Sequence, residues 1–366
     1  MLPFPIMNQY GNEVVYPDVI KKLSTGQNNT GLLKTNGDFY IQGLNNVGQS
    51  GTGNTNDVVN FTKVDSGVAD ISVGYNTSFY RKGTNQIMGT GVFSYIDGTV
   101  QKNTWTQINS LFTSLSVSFE LFLDIRTSSS GLFVLYNGNY LYCRGSNTNG
   151  DLGVTSNTST WSLSATDVKE VHCGYECSYI LKTNGDLYAS GTNSRGQLGT
   201  GNTTRSNTWI LIQQNVLQVY AGFYNLIIAK SDGLYGVGAR ENGLLGDGYT
   251  SSTASNQLGF VKLNIPNGSY NLGRGFIYSS GNAVLDTGVA YVSGVNAAVG
   301  GAGANNGLFT QAQGTLPMNL KGLNLMANGI LVHDGTDIWG SGNGRLLPGY
   351  GSGTYTTFVK CTMPTT

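Results

Sequence analysis

Charge is the scarcest commodity in this chain. Asp, Glu, Lys and Arg make up 11% of its 366 residues, against about 25% in ordinary domains. Acidic and basic residues balance at 20 each. No net field is available to steer nucleic acid or an anionic membrane. Histidine occurs twice, as His172 and His333, which leaves little for imidazole catalysis or metal ligation. The four cysteines, Cys143, Cys173, Cys177 and Cys361, form no disulfide framework, and Cys173 and Cys177 with His172 make a poor zinc signature. They read as small buried apolar residues or free thiols. No apolar run approaches the roughly 18 residues that span a bilayer. The N-terminus has no basic region leading into an apolar segment, so no signal peptide is expected.

What is present is glycine, asparagine and tyrosine: 53 Gly, 38 Asn and 21 Tyr. With only 7 Pro, such a chain is built from many tight turns. The turns recur. Seven times a short strand ends with an aromatic or large apolar residue followed three positions later by glycine. The pairs are Tyr40 and Gly43, Met88 and Gly91, Tyr142 and Gly145, Tyr188 and Gly191, Tyr235 and Gly238, Tyr291 and Gly294, and Trp339 and Gly342. Successive glycines lie 46 to 56 residues apart. A period near fifty across the whole chain means one repeat architecture rather than several unrelated domains.

Two copies show the unit best: 31–54, GLLKTNGDFYIQGLNNVGQSGTGN, and 179–202, YILKTNGDLYASGTNSRGQLGTGN. Asn-Gly between two apolar runs signals a hairpin, expected as a type I′ turn. Asp38 and Asp186 take equivalent turn positions, where an Asp is expected to bond its own backbone. Downstream lie dense glycine clusters, 48–53, 196–201 and 243–248. They suit tight loops with positive φ. A phosphate cradle would need a following Lys-Ser or Lys-Thr and a helix, and neither is there.

This pattern resembles the regulator-of-chromosome-condensation repeat: an apolar strand, Asn-Gly-Asp, an aromatic strand ending in Gly, then Asn-x-x-Gly-Gln-Leu-Gly-x-Gly. Residues 166–212 match closely, 18–64 nearly as well and 213–263 fairly well, and the resemblance spans 18–366. It implies an all-β, seven-bladed propeller of four-stranded antiparallel blades. The blades are expected at 18–64, 65–108, 109–165, 166–212, 213–263, 264–316 and 317–366. The strand-end rings Tyr40, Tyr142, Tyr188, Tyr235, Tyr291 and Trp339 are expected to be buried between blades. The resemblance also implies exchange activity on the small GTPase Ran, or chromatin binding. Two features depart from it. Asn29, Thr77, Cys177 and Asn225 stand where the family has histidine, and Gln42, Ser190 and Val237 where it has the Trp of Trp-Gly.

No convergent catalytic set stands out, and no cofactor or metal site is expected. The charge-poor Asn, Tyr, Ser and Thr surface points to a non-enzymatic virion protein. A bacteriophage tail, tail-fibre or surface component would present such a face, in several copies, to other virion proteins or to a host surface glycan or protein. The alternatives are an intracellular, cytoplasmic interaction propeller regulating a protein partner, in the manner of a guanine-nucleotide exchanger, and an enzyme acting on glycans in the channel. Neither nucleic-acid binding nor membrane insertion is expected. Loops 44–57, 146–160, 192–208 and 239–256 are the expected contact surfaces. Residues 1–17 fall outside the repeat. Leu2, Phe4, Ile6 and Met7, spaced by Pro3 and Pro5, read as a docking or ring-closing segment.

Overall fold

The computed structural model describes residues 19–26, 28–83, 86–94, 98, 101–115, 122–128, 131–136, 138–265, 270–272, 274–275, 281–295, 306–326 and 329–364. The segment holding Leu2, Phe4, Ile6 and Met7 lies outside the described residues.

Seven sheets follow one another along the chain, at 20–65, 68–107, 122–165, 168–213, 218–263, 270–311 and 322–360. Each holds four antiparallel strands in sequence order. This is the seven-bladed propeller that the repeat predicts. A short extra strand, Arg274–Gly275, adds in parallel to Gly322–Met326 of blade 7.

Burial follows from the geometry. The second strand of a blade is covered on both faces by neighbouring blades, so Asn29–Lys34 is buried at every position. In blade 4, Cys177–Lys182 is buried up to its last residue. Such strands read as continuous apolar runs rather than alternating ones. The fourth strands form the outer rim and are half exposed, as in Val58–Asp65.

The strand-end glycines have a backbone reason. Gly43, Gly191 and Gly238 sit at φ 119°, 114° and 106°, and a Cβ on any of them would lie 2.3–2.4 Å from a carbonyl oxygen of the loop between the first two strands. The rings three residues earlier are less buried than expected. Only Tyr40 and Trp339 are closed off, at 5% and 8% exposure. Tyr142, Tyr188, Tyr235 and Tyr291 are half-buried. They lie against the preceding blade but at its margin, with lysine over several rings: Lys182 over Tyr188 and Lys230 over Tyr235. The fully buried places belong to their neighbours, Phe39, Ile41, Leu187 and Ala189. Strand alternation puts those on the other side of the sheet.

The Asn-Gly hairpins also differ from expectation. In blade 1 the Lys34 amide bonds to Asp38 O at 2.9 Å and the Gly37 amide to Lys34 O at 3.0 Å; Gly37 is at φ 87°, while Asn36 is not at positive φ. This is a type I turn completed by a left-handed glycine. The type I′ form, with two successive positive φ values, occurs instead at Thr287-Gly288 of blade 6, at 48° and 84°. The Asx turn is made by asparagine: Asn36 Oδ1 accepts the Asp38 amide at 2.9 Å. Asp38 instead clamps the next connection, accepting from Ser66 at 2.6 Å and pairing with Lys63 at 2.8 Å. Burial works against its charge, yet these bonds hold its carboxyl below the usual range.

Every fourth strand is bulged at the same place. Three residues of the third strand oppose five of the fourth in all seven blades: Ala189 to Gly191 faces Ile210 to Ser206, and Val292 to Gly294 faces Thr310 to Asn306. Each bulge carries one aromatic residue: Phe61, Trp105, Trp161, Trp209, Phe260, Phe309 or Phe358. The bulge re-aims it. Trp105, Trp209, Phe260 and Phe309 cover the glycine loop of the preceding blade, at Gly51, Gly153, Gly199 and Gly246. A Cβ at those glycines would come within 2.2–2.5 Å of the ring.

No strand is exchanged between blades 1 and 7 among the described residues. One backbone bond, from the Ile20 amide to Gly335 O at 2.7 Å, and a set of side-chain contacts close the ring. Leu23, Leu32 and Phe61 pack with Met326, Leu331 and Leu347. Thr25 donates to Leu325 O at 2.9 Å, and Gln42 donates to Leu346 O at 2.7 Å.

Candidate functional site

The first strands line a central channel with a cavity of about 80 Å³, open to solvent. Their alternation sends every second side chain toward the axis. One layer holds Lys22, Asp70 and Glu170. Lys22 Nζ lies 2.8 Å from Asp70 Oδ1, and Glu170 Oε2 lies 3.0 Å from His172 Nε2. The next layer holds Ser24, Ser72, Arg126, His172, Tyr220 and Asn324. Ser24 Oγ accepts the Val73 amide at 2.9 Å, and Asn324 donates to Leu23 O at 3.2 Å. Cys173 also lines the channel. Burial pushes its thiol up to about 12, so it is no thiolate at neutral pH. Burial raises Cys177 similarly. Among the described residues, no group of three His, Cys, Asp or Glu could hold a metal ion.

Aromatic loops surround one mouth of the channel. The turns between first and second strands bring Tyr75, Tyr175, Phe223 and Tyr224 there. Tyr175 stacks on Phe223 with centroids 4.0 Å apart and planes at 11°, and Tyr224 meets Phe223 edge-on at 4.5 Å. Glu176 stands at φ 54°, a left-handed position uncommon for a non-glycine residue. Beside this cluster Arg195 binds Glu241 at 2.5 Å, donates to Asn256 Oδ1 at 2.7 Å and lies over the Tyr224 ring at 5.8 Å. Arg240 pairs with Asp247 at 2.9 Å and covers Tyr249 at 4.7 Å. The two arginines thus lie on blades 4 and 5, on the face shared by the aromatic turns and the glycine loops.

The glycine loops within 44–57, 146–160 and 192–208 are anchored rather than free. Asn193 Nδ2 donates to Thr200 Oγ1, Asn202 O and Thr204 O at 2.9–3.1 Å, while its Oδ1 accepts the Leu198 amide. Asn45 and Asn147 staple blades 1 and 3 in the same way. The residue before the strand-end glycine bonds the preceding blade's loop: Thr90 to Gly48 O at 2.8 Å, Ser190 to Gly150 O at 2.5 Å. This explains the polar residues found where the family pattern has Trp. The repeat positions Tyr40 to Gly342 are therefore spread around the ring and form no single site. Sequence reasoning missed the bulge aromatics Phe61 to Phe358. Their spacing of 44 to 56 residues is as regular as that of the glycines, but the half-polar strands around them hide it.

Among the described residues, no helix is long and apolar enough to cross a membrane. No protein-family model matches the chain. The X-linked retinitis pigmentosa GTPase regulator of dog is 33% identical over 125 residues, a match covering 31% of this chain and 12% of that protein. The human counterpart is 32% identical over the same length. The chain thus spans about an eighth of the curated relatives it matches. Prp20p of Saccharomyces cerevisiae, in a structure concerned with its binding to Gsp1p and histones, superposes with a TM-score of 0.71 at 16% identity, over 84% of this chain and 80% of that one. Human WBSCR16 gives 0.75 at 17% identity, over 89% and 95%. The fold is that of a regulator-of-chromosome-condensation propeller. None of the relatives named here is a virion component.

Proposed function

We propose that this chain is a non-enzymatic propeller that binds and regulates a protein partner through the face carrying the channel mouth. The observation that carries this reading is the grouping of Tyr175, Phe223, Tyr224, Arg195 and Arg240 on blades 4 and 5. Tyrosine and arginine on a rigid support are the residues that dominate protein interfaces. Their charges are already paired with Glu241 and Asp247, so little ordering entropy remains to be lost on docking. The names of the relatives point to a GTPase as the partner class. The absent family histidines at Asn29, Thr77, Cys177 and Asn225 make regulation without nucleotide exchange the form we favour.

The test is equilibrium binding to a panel of Ran-type GTPases, with release of a fluorescent guanine nucleotide followed in parallel. We expect micromolar or tighter binding to at least one of them, weakened about tenfold or more by Tyr224→Ala or Arg195→Ala. Absence of binding across the panel removes the GTPase as partner. Presence of the chain in purified phage particles would restore the virion reading, which rests on composition alone.

A further inference from the structure

The channel carries a second kind of chemistry, independent of any protein partner. The residues lining its cavity include Lys22, Arg126 and His172 but, among the described residues, no Asp or Glu. The two nearby carboxylates are turned to other work. Asp70 holds Lys22 within its own layer, and Glu170 holds His172 from the layer below. Lys22 and His172 are thereby oriented by partners that do not line the cavity. Around them stand Ser24, Ser72 and Asn324, at 4%, 7% and 6% exposure. Ser24 already accepts a backbone amide, so its hydroxyl proton is available to donate. Tyr75 lies at the rim of the same cavity.

We propose that the channel is a binding site for a small organic phosphate. A tetrahedral dianion has three or more oxygens to satisfy, and converging cationic and hydroxyl donors from four blades match it better than they match a planar carboxylate. The cavity, about 80 Å³, has room for a phosphate group and lies well below the about 300–1,000 Å³ of pockets that enclose a whole small molecule, so the organic part extends out through the open mouth. Arg126 and His172 hold the phosphate, Lys22 and Ser24 complete its shell, and the organic part lies under the Tyr75 ring.

The probes are inorganic phosphate and phenyl phosphate, titrated calorimetrically into the full chain at constant ionic strength, with chloride and succinate as controls. Phosphate is expected to bind with saturation and succinate at least about tenfold more weakly. Phenyl phosphate is expected to bind more tightly than phosphate, and Tyr75→Ala to erase only that gain. Arg126→Gln should weaken both phosphates about tenfold or more, as for loss of a charged hydrogen bond. If Arg126→Gln does not fold by near-ultraviolet circular dichroism, Lys22→Gln and His172→Ala carry the same test. Equal response to phosphate, succinate and chloride, or unchanged affinity in folded variants, overturns the proposal. GTPase binding is read in a separate assay, so either idea can fail alone.

Discussion

Blade 4 and blade 6 perform the same structural task with little in common. Blade 4 follows the repeat throughout. Its hairpin has the Asn184–Asp186 turn, with Asp186 Oδ1 accepting from Gln214 at 3.2 Å, Lys182 covers Tyr188, and Asn193 staples its glycine loop. Blade 6 has a two-residue hairpin at Thr287-Gly288 and a fully buried Asp286 where blades 1, 2, 4 and 5 have lysine. What they share is three other features. Both have the strand-end glycine at φ 114° and 110°, both carry the same bulge, and both press a ring onto the glycine loop behind them. The repeat therefore mixes two kinds of position. The hairpin turn and its side-chain clamps drift, and the strand-end glycine, the bulge and its ring do not.

The comparison breaks most visibly at the glycine loops. Gly153→Ala and Gly246→Ala insert a Cβ 2.2 Å from Trp209 and 2.4 Å from Phe309, at φ 67° and 77°. Each should cost about 3–4 kcal/mol from overpacking and left-handed strain. Gly201→Ala, at φ 78° with open space around it, should cost about 1 kcal/mol. Denaturant titration decides. Equal losses at all three would mean that backbone conformation alone, and not the ring contact, fixes these glycines.

A pH effect comes next, from blade 7. His333 occupies the lysine position, and burial lowers its pKa from 6.5 to about 4. A base held neutral in the fold binds its proton more readily when unfolded. Stability is therefore complete above about pH 6.5 and falls as the pH drops toward 4, by up to about 3 kcal/mol. His333→Gln should flatten that slope. A slope unchanged in the variant would assign it to carboxylates such as Asp38 and Asp65, whose pKa values are lowered by Lys63 and Lys82 against their burial.

Smaller effects separate the inward positions. Asn193→Ala removes the staple of blade 4 and should cost about 2 kcal/mol. Tyr188→Ala should cost about 2 kcal/mol, less than the 3–5 of a fully buried aromatic, because the ring is only half covered. Asp151 stands in blade 3 where blades 1 and 4 have Gln49 and Gln197. It is fully buried, and burial raises its pKa. Asp151→Gln should therefore stabilise by about 1 kcal/mol. Thermal melting of the three variants orders them, and a loss from Asp151→Gln would show that the carboxylate has a role of its own.

The architecture was legible in the sequence because the strand-end glycines answer to a backbone constraint that no other residue meets. The degree of ring burial was not legible, since strand alternation gives Tyr188 and Leu187 opposite faces but does not say which face closes fully. The turn type in blades 1 and 4 was hidden because Asn-Gly suits both a type I′ turn and a type I turn with a left-handed glycine. The channel residues were the least visible. Lys22, Arg126, His172 and Asn324 come from four blades, up to about 300 positions apart in sequence, and no local pattern links them.

The bulge repeated in every outer strand bears on a different matter, the pairing of rim strands between molecules. With a net charge of zero, molecules of this kind do not repel one another at neutral pH. Seven exposed rim strands would then be seven templates for end-on growth into fibrils. A bulge skews each rim so that a flat partner strand cannot register along it. Shape does here what like charge does in most proteins, and added salt should leave the solubility of this one almost unchanged.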